Sequence, residues 1–125
     1  MARAAGNNII EINRGDTATF PVQVNVGTAL NTILYELRPG DNLYFGLMEP
    51  HQKWEDAILK KTYDYTDFDN KYFCVPVHFY TEDTEYLAPG TYYYEVKLRK
   101  DAKNNDDGYE SVETIIPRTK FFIVE

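Results

Sequence analysis

The sequence predicts an all-β sandwich, and three observations carry that expectation. Short segments alternate apolar and polar residues with period two, as half-buried strands do. Turn signals separate these segments at hairpin spacing, with almost no helical periodicity between them. The third is the stretch from Leu87 to Leu98, where Ala88-Pro89-Gly90 makes a tight corner, expected as a type II turn with positive φ at Gly90. From that corner Tyr92, Tyr94, Val96 and Leu98 run along one face, and Tyr93, Glu95, Lys97 and Arg99 along the other. Such a corner feeding a tyrosine-rich strand is what the E–F corner of an immunoglobulin-like sandwich looks like. The expectation is an immunoglobulin-like β-sandwich of about seven to nine antiparallel strands.

Taken in order, residues 1–8 are small and polar and read as a flexible arm, leaving 9–125 as a single domain. Ile10 and Ile12 begin the first strand, and Arg14-Gly15-Asp16 is a turn. From Thr17 to Val26, Phe20, Val22, Val24 and Val26 share a face, while Pro21 marks an edge or a bulge. Leu30 to Leu37 is extended into the turn Arg38-Pro39-Gly40-Asp41. In the strand Leu43–Met48 the residues Leu43, Phe45 and Leu47 point inward, and Gly46 opposite them invites close approach by another group. Trp54 to Leu59 reads either as one helical turn or as a direct run into a strand that covers Ile58 to Tyr63, and Asp64 to Asn70 is an acidic loop. Lys71 to Tyr80 reads as one long strand, with Phe73, Val75, Val77 and Phe79 on one face and Tyr72, Cys74, Pro76, His78 and Tyr80 on the other. Residues 99–108 form a polar hairpin tip, and Pro117 divides the last segment into two strand pieces.

The chain has 125 residues and a formal charge of −7, which disfavours nucleic acid and anionic membranes as partners. Cys74 is the only cysteine, so no intrachain disulfide is possible. Neither an apolar leader nor a membrane-length apolar run is visible, and synthesis in a cytoplasm is expected. His51 and His78 lack a second histidine at ligand spacing, and the one serine, Ser111, lies in no nucleophile elbow. Asp64, Asp67 and Asp69 lack calcium-loop spacing. No catalytic residue, metal or cofactor is therefore nominated. The candidate partner-binding surface is aromatic: Tyr72, His78 and Tyr80 on one strand, with Tyr44 and Met48 on another. Such a face suits a protein contact or, in the alternative reading, sugar stacking by a carbohydrate-binding module; Trp54 or the arm covering it is the structural alternative.

Several stretches, in order, resemble the immunoglobulin-like domain at the start of bacteriophage upper-baseplate proteins. They are Ile10-Glu11-Ile12-Asn13-Arg14-Gly15-Asp16-Thr17 with Phe20-Pro21-Val22, Leu43-Tyr44-Phe45-Gly46-Leu47-Met48-Glu49-Pro50, and Trp54-Glu55-Asp56-Ala57-Ile58-Leu59-Lys60-Lys61. Glu82 through Tyr94 and Val112-Glu113-Thr114-Ile115-Ile116-Pro117 complete the set. The resemblance implies a non-enzymatic virion protein, present in multiple copies, that docks on other phage proteins. Its expected place is the capsid, as an auxiliary or decoration subunit, or the baseplate or tail, as an adaptor.

Overall fold

The computed structural model describes residues 3–4, 8–28 and 31–125. Its strands are β1 (Arg3–Ala4), β2 (Ile10–Asn13), β3 (Ala18–Val22), β4 (Asn25–Thr28), β5 (Asn31–Leu34), β6 (Asn42–Met48), β7 (Leu59–Tyr63), β8 (Val75–Phe79), β9 (Gly90–Lys100) and β10 (Ser111–Val124). One short helix, α1 (Thr81–Thr84), follows β8. The strands form a six-stranded sheet in the order β1-β2-β10-β9-β6-β7, a two-stranded sheet β3-β8, and a ribbon β4-β5. The two larger units pack as a sandwich whose core is the alternating residues of both inner faces.

Each inward set follows from period-two alternation. Ile10 and Ile12 on β2, Leu43, Phe45 and Leu47 on β6, Tyr92, Tyr94, Val96 and Leu98 on β9, and Phe121 and Ile123 on β10 are all buried. Phe20 and Val22 on β3 and Val75, Val77 and Phe79 on β8 face them from the smaller sheet. The centre of the interface is aromatic. The Phe79 ring meets Phe45 edge-on at 5.4 Å and lies tilted against Phe121 at 5.4 Å, while Phe20 closes on it at 5.9 Å. Phe45 stacks on Tyr94 at 5.5 Å. These offset and edge-to-face arrangements match the ring quadrupoles and exceed plain area burial in strength.

The smaller sheet is also tied to the larger one by charge. Lys61 on β7 reaches Asp83 of α1 at 2.8 Å, both largely buried, and its ammonium sits 5.5 Å over the Phe79 ring. The Asp83 carboxylate also accepts the Tyr80 backbone N–H at 2.8 Å, which fixes the start of α1. At the corner before β9, the Tyr92 hydroxyl donates to the Ala88 carbonyl at 2.6 Å, closing a loop four residues upstream of the ring. This is the bond expected of a tyrosine corner.

Several sequence expectations are corrected. The strands are not all antiparallel: β2 runs parallel to the end of β10, pairing Ile10 with Phe121 and Asn13 with Val124. β10 does not break at Pro117; register shifts on either side of Ile116 carry the strand past it. The extended Thr17–Val26 segment divides into β3 and β4, and Thr17, Gln23 and Val24 lie outside both strands. Gly90 has the expected positive φ, but at 156° rather than the value of about +80° that a type II turn places there. The long strand from Lys71 is shorter than expected. Asp69 and Cys74 exchange backbone hydrogen bonds at 2.8 and 3.2 Å, so residues 70–73 turn, with Phe73 at φ 53° and its ring edge-on to Phe68 at 5.0 Å. Of the expected arm, Arg3–Ala4 pairs with β2, and residues 1–2 and 5–7 lie outside the described residues.

Removing the Phe79 ring empties the contact shared by both sheets. Phe79→Ala is expected to lower unfolding stability by about 3–5 kcal/mol. Tyr92→Phe, which deletes only the corner hydrogen bond, is expected to cost about 1 kcal/mol. Urea unfolding followed by circular dichroism distinguishes the two magnitudes.

Candidate docking surface

The five residues expected to share one face are distributed over three places. β6 and β8 belong to different sheets, so the outward residues of one cannot join those of the other. Tyr80 is 53% exposed at the C-terminal end of β8, where its ring meets His78 edge-on at 4.5 Å and Lys61 sits 5.4 Å over it. His78 is half-buried, and its Nδ1 lies 2.6 Å from the Thr19 hydroxyl across the β3–β8 pair. Tyr72 is 65% exposed, but it stands in the 70–73 turn beyond the opposite end of β8. Beyond α1, Tyr86 is 89% exposed.

Tyr44 and Met48 lie on the outward side of β6, and there the same chain supplies a cover. Gly46 between them explains it: a Cβ built there would lie 2.6 Å from Trp54 Cζ3, so only glycine admits the indole against the strand. Lys97 Nζ stands 5.3 Å over the Trp54 ring. Met48 is fully buried, which corrects its expected place on an exposed surface. Its cross-strand neighbour is Tyr93, and Arg118 stacks 4.6 Å over the Tyr93 ring while reaching the Met48 sulfur at 3.4 Å. Arg118 also donates to the carbonyls of Pro50 at 2.8 Å and Gln52 at 3.0 Å, pinning the loop after β6. Tyr44 stays half-buried.

A groove of about 730 Å³ opens on the other side of the molecule. Among the described residues, β3 pairs with β8 alone, and the part of β10 before Phe121 with β9 alone. The groove runs between them, with Pro21 and Pro76 beside Tyr72, Ile115 and Ile116 opposite, and the side chains of Thr19, Gln23, Asn25 and Asp69 around it. Pro21 and Pro76 are directly paired across the β3–β8 ladder. Neither can donate, so theirs must be a non-hydrogen-bonded pair, with each proline nitrogen directed to its strand's outer edge. Both edges of the small sheet thus lack a donor at mid-strand. Cys74 lines the floor; burial pushes its thiol up, and the nearby Asp69 charge pushes it further, which keeps it in the unreactive thiol form.

One titratable centre is buried elsewhere. Asp41 is fully enclosed, and its carboxylate accepts from the Tyr35 hydroxyl, from Asn104 Nδ2 at 2.9 Å, and from the backbone N–H groups of Asp101 at 2.9 Å and Arg38 at 3.0 Å. Burial pushes the acid up, but these donors outweigh it and hold the carboxyl below its ordinary value. The same contact raises Tyr35 through burial, its hydrogen bond and the Asp41 charge. The network sews the 38–41 turn to the 101–104 tip, and a Cβ at Gly40 would meet Asp101 Oδ2 at 2.7 Å. No sequence signal distinguishes Asp41 from an exposed turn aspartate. Among the described residues no group of three His, Cys, Asp or Glu side chains is arranged to hold a metal ion, and no helix is long and apolar enough to cross a membrane.

Asp41 ionises more readily folded than unfolded. Its contribution is fully present above the unfolded value, about 3.9, and is lost as pH falls through the lower folded value. Wild-type urea midpoints are therefore expected to drop on acidification by more than those of Asp41→Asn, which itself is expected to lose about 1–3 kcal/mol at neutral pH. Gly46→Ala is expected to dislodge the indole, red-shifting Trp54 fluorescence and costing about 1–3 kcal/mol. An unchanged emission maximum would contradict the packing of Trp54 on β6.

Comparison with protein-family models, with curated proteins and with solved structures finds no match to this chain.

Proposed function

We propose that this chain is a non-enzymatic structural protein of a bacteriophage particle, an immunoglobulin-like module that docks on other virion proteins. The observation that carries the reading is the pair of exposed tyrosines flanking α1, Tyr80 and Tyr86, standing on a packed sandwich. Tyrosine supplies large contact area at low entropy cost and is enriched in protein interfaces. The tyrosine corner at Tyr92 and the resemblance of the baseplate-type stretches support the finer fold and the setting. The order of strands around β9 fits the same reading, with β10 on one side and β6 on the other.

The charge around these tyrosines describes the partner. Beside Tyr80 and Tyr86 the α1 segment carries Glu82, Asp83 and Glu85, of which Asp83 is paired with Lys61, so the local balance is acidic. A facing surface with an apolar centre and a basic rim is complementary, and added salt should slow its association. Repetition of the partner around a symmetric particle would raise the effective affinity of a modest contact. As a capsid decoration subunit the chain would follow the shell's copy number; as a baseplate or tail adaptor it would follow a much smaller ring.

Particles of the phage that encodes this chain should contain it, and mass-spectrometric quantification against the major shell protein tests this. A ratio near that of the shell indicates the head, and a small fraction indicates the tail or baseplate. Tyr80→Ala and Tyr86→Ala are expected to lower incorporation at least several-fold while circular dichroism and the thermal midpoint stay unchanged. Absence of the chain from purified particles would overturn the proposal.

A further inference from the structure

From the lining of the groove beside β3 we infer that it is a binding site for a neutral oligosaccharide, distinct from the tyrosines at the α1 end. Its volume, about 730 Å³, falls within the range of small-molecule sites. Chemistry then narrows the ligand. The polar lining is the amides of Asn8, Gln23 and Asn25, the hydroxyl of Thr19 and the carboxylate of Asp69, with no Lys, Arg or His among the lining residues. An anionic ligand would find as its nearest cation only Lys71, which is engaged at the Tyr72 ring, and would approach a chain of charge −7. A purely apolar ligand would cover amides without satisfying them, at a cost of about 1–3 kcal/mol for each group left unpaired. A polyhydroxylated neutral ligand offers donors and acceptors to the three amides, while the Thr19 hydroxyl is shared with His78 and Asp69 Oδ1 with the 71–72 backbone.

The apolar parts have the complementary form. Tyr72 is 65% exposed, and the pyrrolidine rings of Pro21 and Pro76, paired across the β3–β8 ladder, line the same groove. The C–H face of a pyranose packs on such a ring, and the aromatic and proline surfaces change little in shape on binding because each has few rotatable bonds. Tyr72 is also held in place by its turn. Asp69 Oδ1 accepts the backbone N–H of Lys71 at 2.9 Å and of Tyr72 at 3.3 Å, and the Lys71 ammonium lies 5.3 Å from the ring centroid.

The obvious competing occupant is an added β-strand from another chain. Pro21 argues against it, because the free edge of β3 lacks the N–H that a new strand would require at its centre. Recognition in this groove therefore runs through side chains.

Nuclear magnetic resonance of the full chain labelled with ¹⁵N tests this directly. Cellotetraose, maltotetraose and the tetramer of N-acetylglucosamine are titrated separately into the millimolar range. At least one is expected to shift the amide signals of Thr19, Gln23, Asn25 and Tyr72, with signals from the α1 end unmoved. Tyr72→Ala is expected to weaken that binding roughly tenfold, and Tyr72→Phe to retain it. Silence towards all three saccharides, shifts confined to other surfaces, or binding of a polyproline peptide in place of every saccharide would overturn the assignment. Each of these outcomes is independent of whether the chain is found in phage particles.

Discussion

Everything else in this fold depends on one buried ring. Phe79 stands at the end of the shorter sheet and touches Phe20 beside it and Phe45 and Phe121 across the sandwich. A two-stranded sheet is not stable by itself in water, so β3 and β8 persist because their inner face is glued to the larger sheet. The same residue region carries the Lys61–Asp83 pair and the start of α1. The exposed tyrosines that follow β8, the proposed contact, are thereby attached to a packed body, and preorganisation of that kind lowers the entropic cost of association.

The second constraint is the management of open edges. A sandwich with a two-stranded half has two unpaired strands, which invite association with any extended chain. Here Pro21 and Pro76 remove the mid-strand donors from both edges at once, by virtue of being cross-strand partners. The consequence extends to the proposed saccharide groove. With backbone pairing blunted, the groove beside β3 is left to side-chain chemistry, and its lining is mostly amide, hydroxyl and ring. On the far side, Trp54 on Gly46 and Arg118 on Met48 and Tyr93 close the face of the larger sheet with the chain's own residues.

Much of this is legible in the sequence because period-two alternation reports directly on burial. The inward residues of β2, β6 and β9 follow from it, and Gly46 marks the place where Trp54 lands. Local patterns failed where a distant residue decides the outcome. Tyr72 and Phe73 continue the alternation of β8, yet the Asp69 and Cys74 hydrogen bonds turn the backbone there. Met48 reads as an outward residue, but Arg118, 70 positions away, covers it. The parallel pairing of β2 with β10 and the burial of Asp41 likewise arise from contacts between remote segments. The prolines at 21 and 76 each signalled an edge; that they face one another depends on register, which no single segment contains.

Taken together, the sandwich presents three differently built surfaces: tyrosines with an acidic surround at the α1 end, a polar groove beside β3, and a self-covered sheet face. The docking reading assigns the partner to the first of these. Hydrogen–deuterium exchange of the chain, free and bound to phage particles, tests that assignment most directly. Protection gained on binding is expected at residues 80–86, with the 70–73 turn, β6, β9 and the segment around Trp54 unchanged. Protection appearing instead over Trp54 and the outer face of the six-stranded sheet would contradict it.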